Sequence, residues 1–376
     1  MFSDERLLFA PALKPGIARL DARLNGCRVD DLDAALGRVA ASAEKLRGAR
    51  IFIAGGTGFI GQWLLALLVH ARARLGLDFE AAVLSRDSAA FLRAHPDFSG
   101  PPWLRFHDGD VRSFAFPSGP FTHAVHAATD TSSAADARPD ELAATIIDGT
   151  RRVLDFCAGA GVRRVLYLSS GAVYGRQPAC VERLDETFPG GPDPLDTRAT
   201  YGESKRAAEM LCALAARTGV LEAVVARVFA AVGPGLPLDA HFAIGNFIRD
   251  AAAGREIRIL GDGTPLRSYI YAADLAAWLL ALLADGRSGA AYNVGSDEAV
   301  SIAELAARVG AALGSKAGVA VLGAPDPTAL RTRYVPSIDR AREELGLDAW
   351  TPLEAAIRRT AEHAAWAACV QTRRTA

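Results

Sequence analysis

Tyr201 and Lys205 stand four positions apart in Tyr201-Gly202-Glu203-Ser204-Lys205, and Ser170 ends the apolar run Val165-Leu166-Tyr167-Leu168-Ser169-Ser170. On a helix, a spacing of four places both side chains on one face. A tyrosine with a pKa of about 10 is a poor acid-base group at neutral pH, but a fixed ammonium beside it favours the phenolate and brings it toward the working range. Lys205 supplies that charge. Ser170, at the end of an expected strand, is placed to hold the oxygen of a carbonyl or an alcohol while Tyr201 exchanges its proton. Each residue alone has a plainer reading, because a Tyr and a Lys at helical spacing usually mark an amphipathic face and a Ser after a strand usually marks a turn. A second motif gives the three a common purpose.

That motif is Ile51-Phe52-Ile53-Ala54-Gly55-Gly56-Thr57-Gly58-Phe59-Ile60-Gly61, which runs on into Trp63-Leu64-Leu65-Ala66-Leu67-Leu68. It reads as a buried strand, a phosphate-binding turn and a helix. Gly55 allows the sharp turn, Gly58 lets backbone approach a pyrophosphate, and Gly61 allows close packing of helix on sheet. The helix N-terminus then presents N–H groups to the anion. Strand-like runs at 50–54, 80–85, 103–107, 122–126, 163–169 and 222–228 alternate with helix-like runs at about 60–75, 139–160 and 202–218, the order of a doubly wound parallel sheet.

With these motifs the chain resembles the extended short-chain dehydrogenase/reductase family, in its nucleotide-sugar epimerase, dehydratase and ketoreductase branch, over about residues 48 to 360. The resemblance makes Gly55, Gly58, Phe59, Ile60 and Gly61 the cofactor loop. Gly109-Asp110-Val111 matches the adenine-contacting strand end, and Ala124-Val125-His126-Ala127-Ala128 the fourth-strand motif. Ser170, Tyr201 and Lys205 then form the catalytic triad, with Lys205 also steadying the nicotinamide ribose. Gly261-Asp262-Gly263 with Arg267 and Tyr269-Ile270-Tyr271-Ala272-Ala273-Asp274 resembles the segment that grips a substrate diphosphate, and Tyr292-Asn293-Val294-Gly295 is a further, structural hallmark. The implied fold is a Rossmann-type α/β domain over residues 48–235. A smaller, interleaved substrate-binding domain lies mainly in 236–376 and returns to the main sheet. Residues 1–47 form a helical extension outside the resemblance, with a helix from about Val29 to Leu46 capped by Asp30 or Asp31. Docking on its own domain is its expected role, with a subunit contact second.

In this family an acidic side chain at the end of the second strand selects NAD by repelling a 2′-phosphate. Here that region reads Leu84-Ser85-Arg86-Asp87. Ser85 takes the acidic position and Arg86 offers a planar cation, which favours NADP(H). The other reading makes Asp87 the ribose ligand and Arg86 a solvated charge, and keeps NAD(H) open. The family's 4,6-dehydratases carry an Asp-Glu pair directly after the catalytic Ser or Thr, where this chain has Gly171 and Ala172. Neither can move a proton, so water elimination of that type is excluded. Hydride transfer remains, with Tyr201 giving the proton: NADP preference favours reduction of a nucleotide-linked 4-keto-6-deoxy sugar, against an alternative 4-epimerase that retains its cofactor. A non-catalytic NADP-binding regulator is a remote third reading. For the substrate, Arg267 aligns with the diphosphate arginine, Asn246 with the amide of the nucleotide pocket, and Arg331 or Arg333 with a second cation. Two amides of the family pattern are absent: Arg227-Val228-Phe229-Ala230 ends in Ala, and Ile146 precedes Gly149-Thr150.

Composition agrees. With 376 residues, half of them apolar, and a formal net charge of −1, the chain has a large core to bury and no electrostatic reason to seek nucleic acid or an anionic membrane. No apolar run reaches bilayer length and no secretory signal leads the sequence, so a cytoplasmic protein is expected. The five cysteines show no metal-ligand spacing and read as reduced thiols, Cys180 being the one beside the expected substrate region. No metal is expected. A homodimer is the family habit.

Overall fold

Ile51-Phe52-Ile53-Ala54 is apolar at every position because it forms a strand covered on both faces, and the same holds for most of its neighbours. In the computed structural model, which describes residues 23–129, 137–217, 219–240, 242–324 and 332–375, seven such strands make one parallel sheet. They are β1 (Arg50–Ala54), β2 (Glu80–Ser85), β3 (Leu104–Asp108), β4 (His123–His126), β5 (Arg164–Ser170), β6 (Glu222–Val228) and β7 (Ala291–Val294). Their spatial order is β7-β6-β5-β4-β1-β2-β3. The order reverses between β1 and β4, where Ala54 pairs with His126, and connections leave in opposite directions there to open a cleft at the carboxyl ends. The chain therefore has the Rossmann-type doubly wound fold. β7, inside the Tyr292-Asn293-Val294 hallmark, extends the six expected strands; four residues are too few to show a period by themselves.

The helices that matter for the site are α1 (Val29–Glu44), α2 (Phe59–Leu75), α3 (Ser88–Ala94), α4 (Pro139–Ala160), α5 (Thr200–Ala216), α6 (Ala243–Ala252) and α7 (Ala272–Asp285). α7 is buried around its whole circumference, with Leu275, Trp278, Leu279, Leu280, Leu282 and Leu283 all inaccessible. A helix lying on a sheet with its outer side in water would not carry that composition. α1 supplies the missing cover: its Leu32, Ala35, Leu36, Val39 and Ala43 form a buried stripe, and the helix packs on α2 and α7. The expected Asp cap is not found. Arg28 occupies the N-cap without a side-chain bond, because Asp31 is turned inward, where it accepts from the Tyr271 hydroxyl at 2.6 Å and pairs with Arg359 at 2.8 Å. A buried carboxylate needs such partners, and here it joins α1 to the start of α7.

After Gly235 the elements become short. Ala231–Val232 pairs with Ile270–Tyr271, and Ile257–Ile259 with Val319–Val321, both in parallel. Leu266–Arg267 lies between Val300–Ser301 and Arg333–Tyr334, with Arg267 directly opposite Tyr334. Among the described residues no helix is long and apolar enough to cross a membrane.

Candidate active site

The glycine loop carries its requirements in its geometry. Gly55 has φ +87°, and a Cβ there would stand 2.4 Å from the Ala127 carbonyl carbon; one on Gly61 would stand 2.3 Å from the Gly55 oxygen. Gly58 is different, since a Cβ would meet nothing closer than 3.7 Å. Packing does not demand that glycine, so its open side is available for a ligand. Gly58 is also the N-cap of α2 and contributes no side-chain bond to its first turn, which leaves N–H groups for an anion. Phe59 and Ile60 pack half-buried against the core, so what they offer such an anion is backbone.

A cleft of about 290 Å³ opens beside this loop, lined among others by Gly55, Gly58, Ser85, Arg86, Asp110 and Val111, with Ala127 and Thr129 from the end of β4. Ser85 is buried, and its hydroxyl accepts from the Asp87 N–H at 3.3 Å. The Asp87 carboxylate caps α3 by accepting from the Ala90 N–H at 2.7 Å. Asp110 chelates Arg112 through two bonds of 2.8 Å, and this cation, with Arg86 farther off, holds its carboxyl below the usual range. Arg138, paired with Glu141 at 2.8 Å, closes the same cleft. Three arginines against two carboxylates give this lining a positive balance.

Ser170 is the last residue of β5, and Tyr201 and Lys205 lie in the first two turns of α5, which packs on that strand. The Lys205 ammonium is 5.9 Å from the centre of the Tyr201 ring. Lys205 is 3% exposed and donates to the Leu168 carbonyl at 2.7 Å and the Thr129 hydroxyl at 2.8 Å. Burial lowers its pKa to about 7. Ser170 Oγ accepts from the Ala172 N–H at 3.1 Å. Behind it, Ser169 donates to Glu209, whose carboxylate pairs with Arg227 at 2.7 Å. Arg227 also donates to the Tyr174 hydroxyl, which in turn donates to Asn293. This buried network ties α5 to β5 and β6 and fixes the helix that carries Tyr201 and Lys205. Asn293 completes it by donating to the Leu184 and Ser337 carbonyls, a structural task.

The expected substrate residues are more scattered. Arg267 is half-buried beside Tyr334 and donates to the Leu266 carbonyl at 2.8 Å. Asn246 lies in the first turn of α6 and donates to the Ala240 carbonyl at 2.9 Å. Arg331 lies outside the described residues, and Arg333 reaches the Glu182 carbonyl at 3.5 Å. Cys180 is exposed. Sequence reasoning missed Tyr334, whose hydroxyl is 3.5 Å from Ser170 Oγ. No motif marks it, since it lies 164 positions from Ser170 and reaches it only through the pairing of two-residue strands. His126, within the fourth-strand motif, is fully buried and contacts the Thr150 hydroxyl at 3.0 Å, and desolvation with the nearby Lys205 pulls its pKa to about 3.

Residues 51–295 match the family model described as the NAD dependent epimerase/dehydratase family. The chain belongs to that family. Within it, the chain is 27% identical over 314 residues to UDP-glucuronic acid decarboxylase 5 of Arabidopsis thaliana, covering 81% of this chain and 84% of the relative. It is 29% identical over 272 residues to the low-salt glycan biosynthesis protein Agl12 of Haloferax volcanii, 70% of this chain and 82% of that one. Among solved structures, the family fold is shared with the epimerase Mth375 of Methanothermobacter thermautotrophicus (TM-score 0.73, 23% identity, 90% and 98% covered). It is shared too with DesIV, a dTDP-glucose 4,6-dehydratase of Streptomyces venezuelae solved with NAD and TYD bound (TM-score 0.72, 24% identity, 84% and 97% covered). The chain is thus an enzyme of the nucleotide-sugar branch of the extended short-chain dehydrogenases/reductases.

Proposed function

We propose that this protein is an NADP(H)-dependent oxidoreductase that reduces the keto group of a nucleotide-linked 4-keto-6-deoxyhexose. The observation that carries this reading is the neighbourhood of Ser170. A serine hydroxyl ends β5, a tyrosine and a buried lysine lie in the first two turns of the helix packed on that strand, and the lysine donates to Thr129 on the rim of the dinucleotide cleft, while Gly171 and Ala172 bring no titratable group beside them. The space a side chain at 171 would use is filled: a Cβ there would stand 2.6 Å from the Phe229 ring and 2.7 Å from the Tyr334 oxygen. Such a site suits moving one proton on and off a sugar oxygen and lacks the second acid-base pair that eliminating water needs.

The glycine cradle, the uncapped first turn of α2 and the positive lining fit a dinucleotide, held by Gly55, Gly58, Phe59, Ile60 and Gly61 at its pyrophosphate and by Asp110, Val111 and Ala127 along the cleft. When bound, its nicotinamide supplies the hydride. Ser170 donates to the carbonyl oxygen, Tyr201 delivers the proton as that oxygen becomes an alcohol, and Lys205 stabilises the phenolate left behind. Arg86 beside a serine at the end of β2 supports the 2′-phosphate form, and the use of Asp87 as a helix cap supports it further. Reduction follows from that choice, because cells keep the NADP pool reduced. Arg267 and Asn246 are the proposed diphosphate and nucleotide contacts, with Arg331 as a second cation, and a cytoplasmic homodimer is the proposed assembly.

The test is to mix purified protein with NADPH and a panel of nucleotide-linked 4-ketohexoses, 4-hydroxyhexoses and hexuronates, following cofactor absorbance and sugar identity together. Stoichiometric loss of NADPH with a ketohexose is the expected result. Interconversion of hydroxyhexoses without net cofactor loss would make the protein an epimerase. Release of carbon dioxide from a hexuronate would align it with the plant decarboxylases.

A further inference from the structure

A serine hydroxyl has one proton to give and two lone pairs to fill. At Ser170 the backbone N–H of Ala172 fills one, at 3.1 Å. The Tyr334 hydroxyl stands 3.5 Å from the same oxygen. Tyr334 is held in that position by three independent means. Its strand pairs with Leu266–Arg267. Its ring lies against Phe229, with centroids 4.5 Å apart. The next residue, Val335, donates to the Gln177 side chain at 3.0 Å and accepts from the Leu184 N–H at 2.9 Å. Gly171 leaves the room, since a Cβ there would come within 2.7 Å of the Tyr334 oxygen. Desolvation raises the Tyr334 pKa, so the phenol keeps the proton it needs to donate.

We propose that Tyr334 is a positioning residue whose hydroxyl donates to Ser170 Oγ and, with the Ala172 N–H, occupies both of its acceptor sites, so that the serine proton points at the oxygen of the reacting sugar carbon. Without Tyr334 the serine hydroxyl is free to rotate and to act as an acceptor. With Tyr334 it is a committed donor, which is what a carbonyl oxygen gaining negative charge requires. At 3.5 Å the contact stands at the long end of hydrogen-bond distance, and under this proposal it tightens as substrate is enclosed. The inference rests on the hydride-transfer reading of the site and is indifferent to the direction, because reduction and epimerisation both need a donor at that oxygen.

A double-mutant cycle tests it on the full chain: Tyr334→Phe, Ser170→Ala and the two together, with kcat and KM measured on the sugar the wild type turns over. NADPH binding and thermal midpoint are read for each variant to show that the fold and cofactor cleft persist. Tyr334→Phe should lower kcat about tenfold, the worth of one neutral hydrogen bond, with KM and cofactor binding unchanged. In the Ser170→Ala background it should do nothing more. An equal loss in both backgrounds would show that Tyr334 acts independently of Ser170 and overturn the proposal, as would full activity in Tyr334→Phe. Full activity in Ser170→Ala would remove the hydride-transfer role of the serine itself, a failure distinguishable from that of the Tyr334 link.

Discussion

Replacing Lys205 by methionine should flatten the pH dependence of folding stability as well as abolish turnover. The wild-type ammonium sits 3% exposed against the Leu168 carbonyl and the Thr129 hydroxyl, and burial brings its pKa from 10.5 to about 7. In the unfolded chain the lysine titrates at its ordinary value. Between about pH 7 and 10.5 the unfolded state therefore binds more protons than the folded state, and stability rises with pH across that window. From pH 7.5 to 9 the gain amounts to about 2 kcal/mol. The half-buried His123 and the buried His126 have lowered pKa values, and their contribution is essentially complete by pH 7.5. The buried thiols of Cys27, Cys157 and Cys212, whose pKa values burial raises, work in the opposite direction near pH 9 and above, and remain in both proteins. The difference between wild type and Lys205→Met thus isolates the lysine. Absolute stability is less informative, because the variant relieves the desolvation but leaves two acceptors without their donor. Urea unfolding of both proteins without cofactor at pH 7.5 and 9 is the assay. A variant whose stability climbs with pH as steeply as the wild type would refute the argument that Lys205 is held partly neutral by burial.

Tyr201→Phe should lower kcat by about a thousandfold and leave NADPH affinity within about twofold, read by turnover and by cofactor fluorescence titration. Gly61→Ala should abolish cofactor binding and cost about 2 kcal/mol or more in urea unfolding, because its Cβ would collide with backbone at 2.3 Å rather than with a flexible side chain. Exchanging Ser85→Asp together with Arg86→Ile should move the ratio of kcat/KM for NADPH over NADH by about a hundredfold toward NADH, as an acidic group replaces a cation beside the ribose. Arg227→Met should destabilise by about 3 kcal/mol, since it leaves Glu209, only 14% exposed, as a buried carboxylate without its ion-pair partner.

The parts of this protein legible in the sequence are those written in local pattern. A strand covered on both faces must be apolar throughout, so β1, β2, β5 and β6 declare themselves within a residue of their observed ends. The turn after β1 must be glycine where backbone touches backbone, so Gly55 and Gly61 stand out. Helical spacing places Tyr201 and Lys205 on one face without any knowledge of the rest. Even the absence of a titratable group at Gly171 and Ala172 could be read directly. Asp31 shows where this kind of reading stops: an acidic residue at the start of a helix looks like a cap, and only the position of Tyr271 and Arg359 turns it into a buried anchor.

Tertiary structure decided everything that depends on what surrounds a residue. Desolvation is a property of neighbours, so the lowered pKa of Lys205 has no signature in Tyr201-Gly202-Glu203-Ser204-Lys205. The apolar α7 is explained only by α1 lying over it. Tyr334 reaches Ser170 because a two-residue strand pairs beside Arg267 and because Gly171 and Phe229 shape the space between them. Contacts between residues 164 positions apart follow no period and obey no local propensity. They exist because the folded chain closes its core in one way, and the chemistry at the end of β5 is set by that closure.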